Sequence, residues 1–119
     1  MIIKFYNNIY NISNFKKIDI EDDVITIEFP DIIHDIEGEE MNYNCYISIE
    51  DQDIFYEMQN KNNYDHKDMR WIKTNVAWKV YDMIWTALCD KKDYLNITDV
   101  FENMCNDAQK EYEIWCNEE

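Results

Sequence analysis

The residues of this sequence with the greatest capacity for chemistry are its carboxylates. Between residues 18 and 60 there are fourteen Asp and Glu side chains and no Lys or Arg, so this block has a net charge of −14. Alternate residues of a β-strand repeat at about 6.6 Å, and neighbours on one helix face lie about 6 Å apart. Both distances are on the scale of the spacing between nucleic-acid phosphates. Carboxylates at this pitch can present a phosphate-like charge pattern to Lys and Arg.

We therefore predict a partner-binding surface made of twelve carboxylates from this block. A solubilising role is the alternative interpretation, because acidic surfaces favour solubility without any partner. The predicted residues are Asp19, Glu21, Asp22, Asp23, Glu28, Asp35, Glu37, Glu39, Glu40, Glu50, Asp51 and Asp53.

Other chemistries have no supporting motif. Gly38 is the only glycine, so neither of the common glycine-rich phosphate-binding loops can be present. The carboxylates between residues 19 and 23 could hold a divalent cation, but incidental weak binding is the simpler interpretation. The two histidines, His34 and His66, have no local signature of a nucleophile and base. We predict no catalytic residue, no metal site, no cofactor and no enzymatic activity.

The cysteines do not have the spacing of a zinc site or a redox motif. No pair is separated by two residues, as a zinc site or a C-x-x-C motif would require. We expect reduced and mostly buried thiols at Cys45, Cys89, Cys105 and Cys116.

The overall charge restricts the partners. The chain has 119 residues, with 26 acidic and 11 basic side chains, and a net charge of −15. This charge should repel nucleic-acid phosphates and anionic membrane surfaces, so we expect a basic protein as the partner. The first residues lack the apolar segment of a signal peptide, and no apolar run approaches 18 residues, which predicts a cytoplasmic protein.

The elements that position these residues are predicted from hydrophobic periodicity. Apolar residues alternate with polar ones through much of residues 1–49, while the spacing from residue 65 onward is helical. We predict one α+β domain over 1–119, mainly β in 1–49 and mainly α in 65–119. An antiparallel N-terminal sheet of about four strands packs on two C-terminal helices. Pro30 is expected to end a strand, and residues 50–63 fit either a helical turn or a strand.

The first predicted C-terminal helix has two apolar stripes. Asp65 is a suitable N-cap. One stripe is predicted to face the core and the other contains three tryptophans, so the helix either buries both stripes or exposes an aromatic ridge to a partner or a second copy. The core stripe is Met69, Ile72, Val76, Val80, Met83 and Ala87, and the second is Trp71, Trp78 and Trp85.

A base-free block followed by an acidic final helix, Asp99 to Glu119, resembles small acidic phage-type inhibitors that mimic nucleic acid. Anti-CRISPR proteins and anti-restriction DNA mimics belong to this class. The resemblance covers charge and layout rather than a motif. It implies a non-enzymatic inhibitor that occupies the basic nucleic-acid groove of a host-defence nuclease, in the cytoplasm of an infected or host bacterial cell.

Two other functions fit the same residues. An immunity protein or antitoxin that neutralises a basic toxin nuclease would need the same electrostatics. A structural or assembly protein would instead oligomerise through the tryptophan stripe.

Overall fold

A computed structural model of the chain describes residues 1–118. Glu119, the last residue of the predicted final helix, lies outside the described residues. The predicted α+β class, with strands first and helices second, is confirmed. The elements in chain order are β1 (Ile2–Phe5), β2 (Asn8–Asn11), β3 (Lys17–Glu21), β4 (Val24–His34), β5 (Glu40–Ser48), α1 (Asp53–Asn62), α2 (His66–Cys89), β6 (Tyr94–Asn96) and α3 (Thr98–Glu118).

The strands form two three-stranded sheets, with orders β2-β1-β6 and β3-β4-β5, rather than the single N-terminal sheet expected from the sequence. β6 follows α2 and pairs in parallel with β1, so that Ile3 lies opposite Leu95. A three-residue strand is too short to show a period of two, which is why the sequence pattern missed it. This pairing returns the chain to its N-terminal strand immediately before α3 begins.

Pro30 does not end β4, contrary to the sequence-based expectation. The strand continues to His34, and its register with β5 shifts between Glu28 and Ile32. A bulge tolerates proline because the residue need not donate a ladder hydrogen bond there. β3 pairs with β4 only as far as Glu28, so β4 and β5 continue alone as a two-stranded ribbon. We call residues 31–43 of this ribbon and its turn the arm.

The turn of the arm is shaped by its own side chains and by glycine. The Asp35 carboxylate accepts hydrogen bonds from the backbone N–H groups of Glu37 and Glu39, both at 2.9 Å. Gly38 has φ +84°, a conformation that costs glycine little. Every residue from 30 to 41 is exposed. The arm therefore holds its shape through local hydrogen bonds and strand pairing, without a core of its own.

Residues 50–63, which fitted two interpretations, contain the helix α1. Phe55 and Met58 are its buried side chains. The Phe55 ring meets Phe101 of α3 edge-on at 5.9 Å, and Phe101 also meets Phe5 of β1 at 5.0 Å. Phe101 is fully buried, so its ring joins α1, α3 and the first sheet.

Helix α2 is buried on more than one side. It begins at a capping box, because the Asp65 and Asp68 carboxylates each accept a hydrogen bond from the other residue's backbone N–H, at 2.8–2.9 Å. The predicted N-cap is thus confirmed. Its buried residues are Met69, Ile72, Val76, Ala77, Val80, Ile84 and Ala87. They belong to one cluster that includes side chains from both sheets and from α1 and α3.

Replacement of Phe101 by alanine is expected to destabilise the protein by about 3–5 kcal/mol, because a large cavity would open between α1, α3 and the first sheet. Urea denaturation followed by tryptophan fluorescence measures the free energy of unfolding. Tyr56→Ala is the matched control, since Tyr56 is on α1 and 53% exposed. An equal loss in the two variants would contradict the central position of Phe101.

A second prediction concerns the contact between α2 and α3 at low pH. The Tyr112 hydroxyl donates a hydrogen bond to the Asp68 carboxylate, and this bond, with the one from the Asp65 backbone, lowers the pKa of Asp68. A lowered carboxyl pKa stabilises the folded state above the ordinary pKa of aspartate, and this contribution is lost as the pH falls through the lowered value.

Tyr112→Phe should therefore be less stable than the wild type at neutral pH, with the difference shrinking as the pH approaches about 2. Urea denaturation at a series of pH values gives this difference, and the exposed Tyr94→Phe is the control. A difference that does not change with pH would show that the Asp68 carboxylate is not involved.

Candidate functional site

The predicted carboxylates all lie at the surface, but the fold divides them into four groups. The first group is on the outer face of the β3-β4-β5 sheet. Ile18 and Ile27 pair on the core side, so Asp19, Glu21 and Glu28 point outward. This face is partly neutralised, because the ammonium groups of two preceding lysines lie close to carboxylates. The ion pairs are Lys17–Asp19 at 3.1 Å and Lys16–Glu28 at 3.8 Å.

The second group faces cations of the same chain. Three of the carboxylates, from the β3–β4 turn and from the segment just after β5, line a cleft of about 400 Å³ against the N-terminal half of α2. The residues are Asp22, Asp23 and Glu50 on one side and His66, Arg70 and Lys73 on the other. Across this cleft, no carboxylate of residues 1–118 comes within 4.0 Å of a cationic nitrogen. The facing charges nevertheless reduce the negative potential of this group.

The third group is at the end of the arm and is the least neutralised. Asp35 closes the turn, and Glu40 lies 3.9 Å from the His34 imidazole. Glu37 and Glu39 are exposed, with no ion pair within the described chain. The nearest Lys or Arg in sequence is more than fifteen residues away on either side. The end of the arm is therefore a concentrated negative charge held away from the body of the protein.

The fourth group is at the start of α1, close to α3. Asp51 precedes α1, and Asp53 is in its first turn, where a negative charge is favourable at the helix N-terminus. Burial, followed by the electrostatic influence of the neighbouring Cys105, Glu102 and Asp53, raises the pKa of Tyr6. Asp53 and Glu102 of α3 therefore act on the same ring. This places the acidic start of α1 beside the acidic first half of α3.

One carboxylate of α3 has a structural role. Glu111 receives a hydrogen bond from Lys79 at 2.8 Å and another from Asn75 at 2.7 Å. The Lys79 ammonium, followed by Asn75, holds the pKa of Glu111 below its usual range. This carboxylate is engaged in holding α3 against α2 and adds little to the free acidic surface.

The tryptophan stripe of α2 is only partly buried. Trp71 is half-buried and stacks on Trp115 of α3, with ring centroids 5.7 Å apart. Trp78 and Trp85 are 49% and 37% exposed, so the interpretation in which both stripes are buried is wrong for these two residues. The Trp85 ring contacts the ring of Phe15 edge-on, with centroids 6.2 Å apart; Phe15 is in the segment between the two sheets.

A groove that the sequence analysis did not identify runs along α2 beside Trp78. It is a shallow, open depression of about 540 Å³ on the face of this one helix, and aromatic rings and cationic side chains line it together. The lining residues are at steps of three and four, the signal of one helix face, although the cations among them obscured its apolar character. We call it the α2 groove; it is lined by Lys67, Arg70, Trp71, Thr74, Asn75 and Trp78.

The cysteines differ from the expectation of mostly buried thiols. Cys105 is buried and Cys45 half-buried, but Cys89 and Cys116 are exposed. Cys89 is the last residue of α2 and Cys116 is in the last turn of α3. Burial raises the pKa of the Cys105 thiol to about 12.

The described residues provide no further indication of a site. Among residues 1–118, no three His, Cys, Asp or Glu side chains are placed to hold a metal ion together. None of the helices in that range has the length and apolar character needed to cross a bilayer. No protein-family model, curated protein or solved structure matches the chain. The surface chemistry is thus the basis for any functional conclusion.

Thiol reactivity should follow this order of exposure. With a disulfide reagent at about pH 8, Cys89 and Cys116 should react first, Cys45 more slowly, and Cys105 only on unfolding, because the buried thiol is not ionised. Mass spectrometry after timed quenching identifies each labelled residue. Cys116→Ser should remove one fast-reacting thiol and leave the other rates unchanged. Rapid labelling of Cys105 in the folded protein would contradict its burial.

Proposed function

We propose that this chain is a non-enzymatic inhibitor of a host-defence nuclease, of the anti-CRISPR or anti-restriction type. Its carboxylates would occupy the basic groove in which the nuclease binds nucleic acid. One observation carries the proposal: all twelve predicted carboxylates are at the surface, and nine of them have no Lys, Arg or His nitrogen within 4.0 Å in the part of the chain described. Such a surface is stabilised when Lys and Arg of a partner approach it.

The arm is the part of the surface best suited to enter a groove. It is a two-stranded ribbon whose residues from 30 to 41 are all exposed, and Glu37 and Glu39 lie at its end. The backbone positions of these two residues are fixed relative to one another, because the Asp35 carboxylate accepts hydrogen bonds from the backbone N–H groups of both. A backbone that is already ordered loses less conformational entropy on binding than a flexible loop does.

The net charge favours this function through association kinetics. A protein of charge −15 is attracted to a basic groove at long range, which increases the association rate. Added salt screens this attraction, with a Debye length of about 8 Å at physiological ionic strength. Inhibition should therefore weaken steeply as the salt concentration rises.

A competition assay, in which the chain and a DNA duplex compete for binding to a purified defence nuclease, tests the proposal. The chain should displace a fluorescently labelled duplex, and more duplex should relieve the inhibition. Glu37→Lys combined with Glu39→Lys should weaken inhibition by about tenfold or more, since two attractive contacts become repulsive. The control is Asp82→Lys combined with Asp93→Lys, which changes the net charge equally outside the predicted surface.

Equal losses in the two double variants would show that only total charge matters, which contradicts a specific surface. A plating assay with phage on restricting and CRISPR-immune strains that express the chain gives the corresponding result in cells. The proposal would be overturned if the chain protected phage in none of these strains and also displaced no DNA from the purified nucleases. Rescue of cells from a basic toxin nuclease, without protection of phage, would identify an immunity protein instead.

A further inference from the structure

The arm carries an apolar surface as well as its carboxylates. Ile33 lies opposite Met41 in the ribbon, and Tyr43, two residues further along β5, is on the same side. Ile36, in the turn, is fully exposed, and Ile32 on the other side is also exposed. Monomeric proteins seldom expose several large apolar side chains together unless they form an interaction site. Phosphate mimicry needs carboxylates but gives no reason for these isoleucines.

The α2 groove has the complementary chemistry. The rings of Trp71 and Trp78 offer apolar area, and Lys67 and Arg70 supply positive charge beside them. An occupant of this groove should combine branched apolar side chains with carboxylates. The end of the arm has this combination, with Ile36 between Asp35 and Glu37.

The arm cannot reach the groove of its own chain. Arg70 and Thr74 line both the α2 groove and the cleft that contains Asp22 and Asp23, so the groove lies near the start of β4. The arm is at the other end of β4, about 30 Å away at the usual rise per residue of a strand. The molecule is accordingly elongated, with extents of 48 × 37 × 27 Å. Its radius of gyration of 16.2 Å exceeds the roughly 13.5 Å of a compact chain of this length.

We propose that the arm of one copy of this chain docks in the α2 groove of a second copy. Ile36 and its apolar neighbours pack on Trp71 and Trp78, and the carboxylates of the arm lie beside Lys67 and Arg70. Because the arm and the groove are at opposite ends, two copies arranged antiparallel satisfy both contacts at once. This self-association goes beyond the inhibitor function and does not depend on it.

The net charge of the chain opposes the approach of a second copy, and salt reduces this opposition. Two chains of charge −15 repel one another at long range, and salt screens that repulsion more than it screens charges in direct contact. Self-association should therefore strengthen from low salt to physiological ionic strength. This dependence is opposite to the one expected for binding to a basic nuclease.

Sedimentation equilibrium of the purified chain, at concentrations up to about 100 μM, tests the proposal without any nuclease present. The wild type should self-associate, and Ile36→Ser and Trp78→Ala should each weaken association by about tenfold or more. Both side chains are exposed, so neither substitution removes a core contact. The matched controls are Ile9→Ser, at an exposed position of β2, and Trp85→Ala, on the same helix as Trp78. Both controls should behave as the wild type does.

Mixing the two defective variants gives a result that a general loss of solubility or folding would not produce. The Trp78→Ala chain keeps its arm and the Ile36→Ser chain keeps its groove, so an equimolar mixture should form heterodimers through one intact contact. A wild type that remains monomeric would overturn the proposal. Association that survives either substitution, or a mixture that shows no recovery, would also overturn it.

Discussion

Helix α2 places seven buried side chains in the core, and residues of both sheets, of α1 and of α3 belong to the same core cluster. The hydroxyl of Tyr81 reaches the Ile18 carbonyl of β3 at 3.5 Å, while Lys79 binds Glu111 of α3 at 2.8 Å. The second sheet and α3 therefore cover different sides of one helix. Because apolar burial is the main favourable term in folding, an acidic chain with this much self-repulsion depends on the core that α2 organises.

The excess negative charge is accommodated by position rather than by pairing. Only three ion pairs between Lys and a carboxylate occur within the described residues, and two of them involve predicted surface carboxylates. Cations of the same chain moderate the groups nearest the body, at Lys16, Lys17 and the N-terminal half of α2. The least moderated group is carried outward on the arm, where solvent surrounds it and weakens the repulsion between neighbouring charges. The outward position of the arm thus has two effects: it weakens the repulsion between charges of the same chain, and it leaves the carboxylates of the arm accessible to a partner.

The arm combines two kinds of recognition chemistry. Its carboxylates suit a basic groove, and its isoleucines suit an apolar floor bordered by cations. The α2 groove is a surface of the second kind within the same sequence. Docking between copies would cover the carboxylates of the arm, so self-association and binding to a nuclease would compete for the same element. Since salt acts on the two contacts in opposite directions, ionic strength would set the balance between them.

Local patterns were sufficient for the α+β class, for most of the strands, for the helix from residue 66 and for its Asp65 cap, because periodicity and capping depend on neighbours within a few residues. The same patterns placed every carboxylate at the surface, since a charge cannot be buried without a partner. The parallel pairing of β6 with β1 and the continuation of β4 past Pro30 depend on contacts distant in sequence. So does the division of one acidic block into four groups. Tertiary packing alone brought Lys16 toward Glu28 and Arg70 toward Asp22 and Asp23. It also left Trp78 uncovered and set the arm and the α2 groove at opposite ends of the molecule, because each of these outcomes requires the relative positions of whole elements.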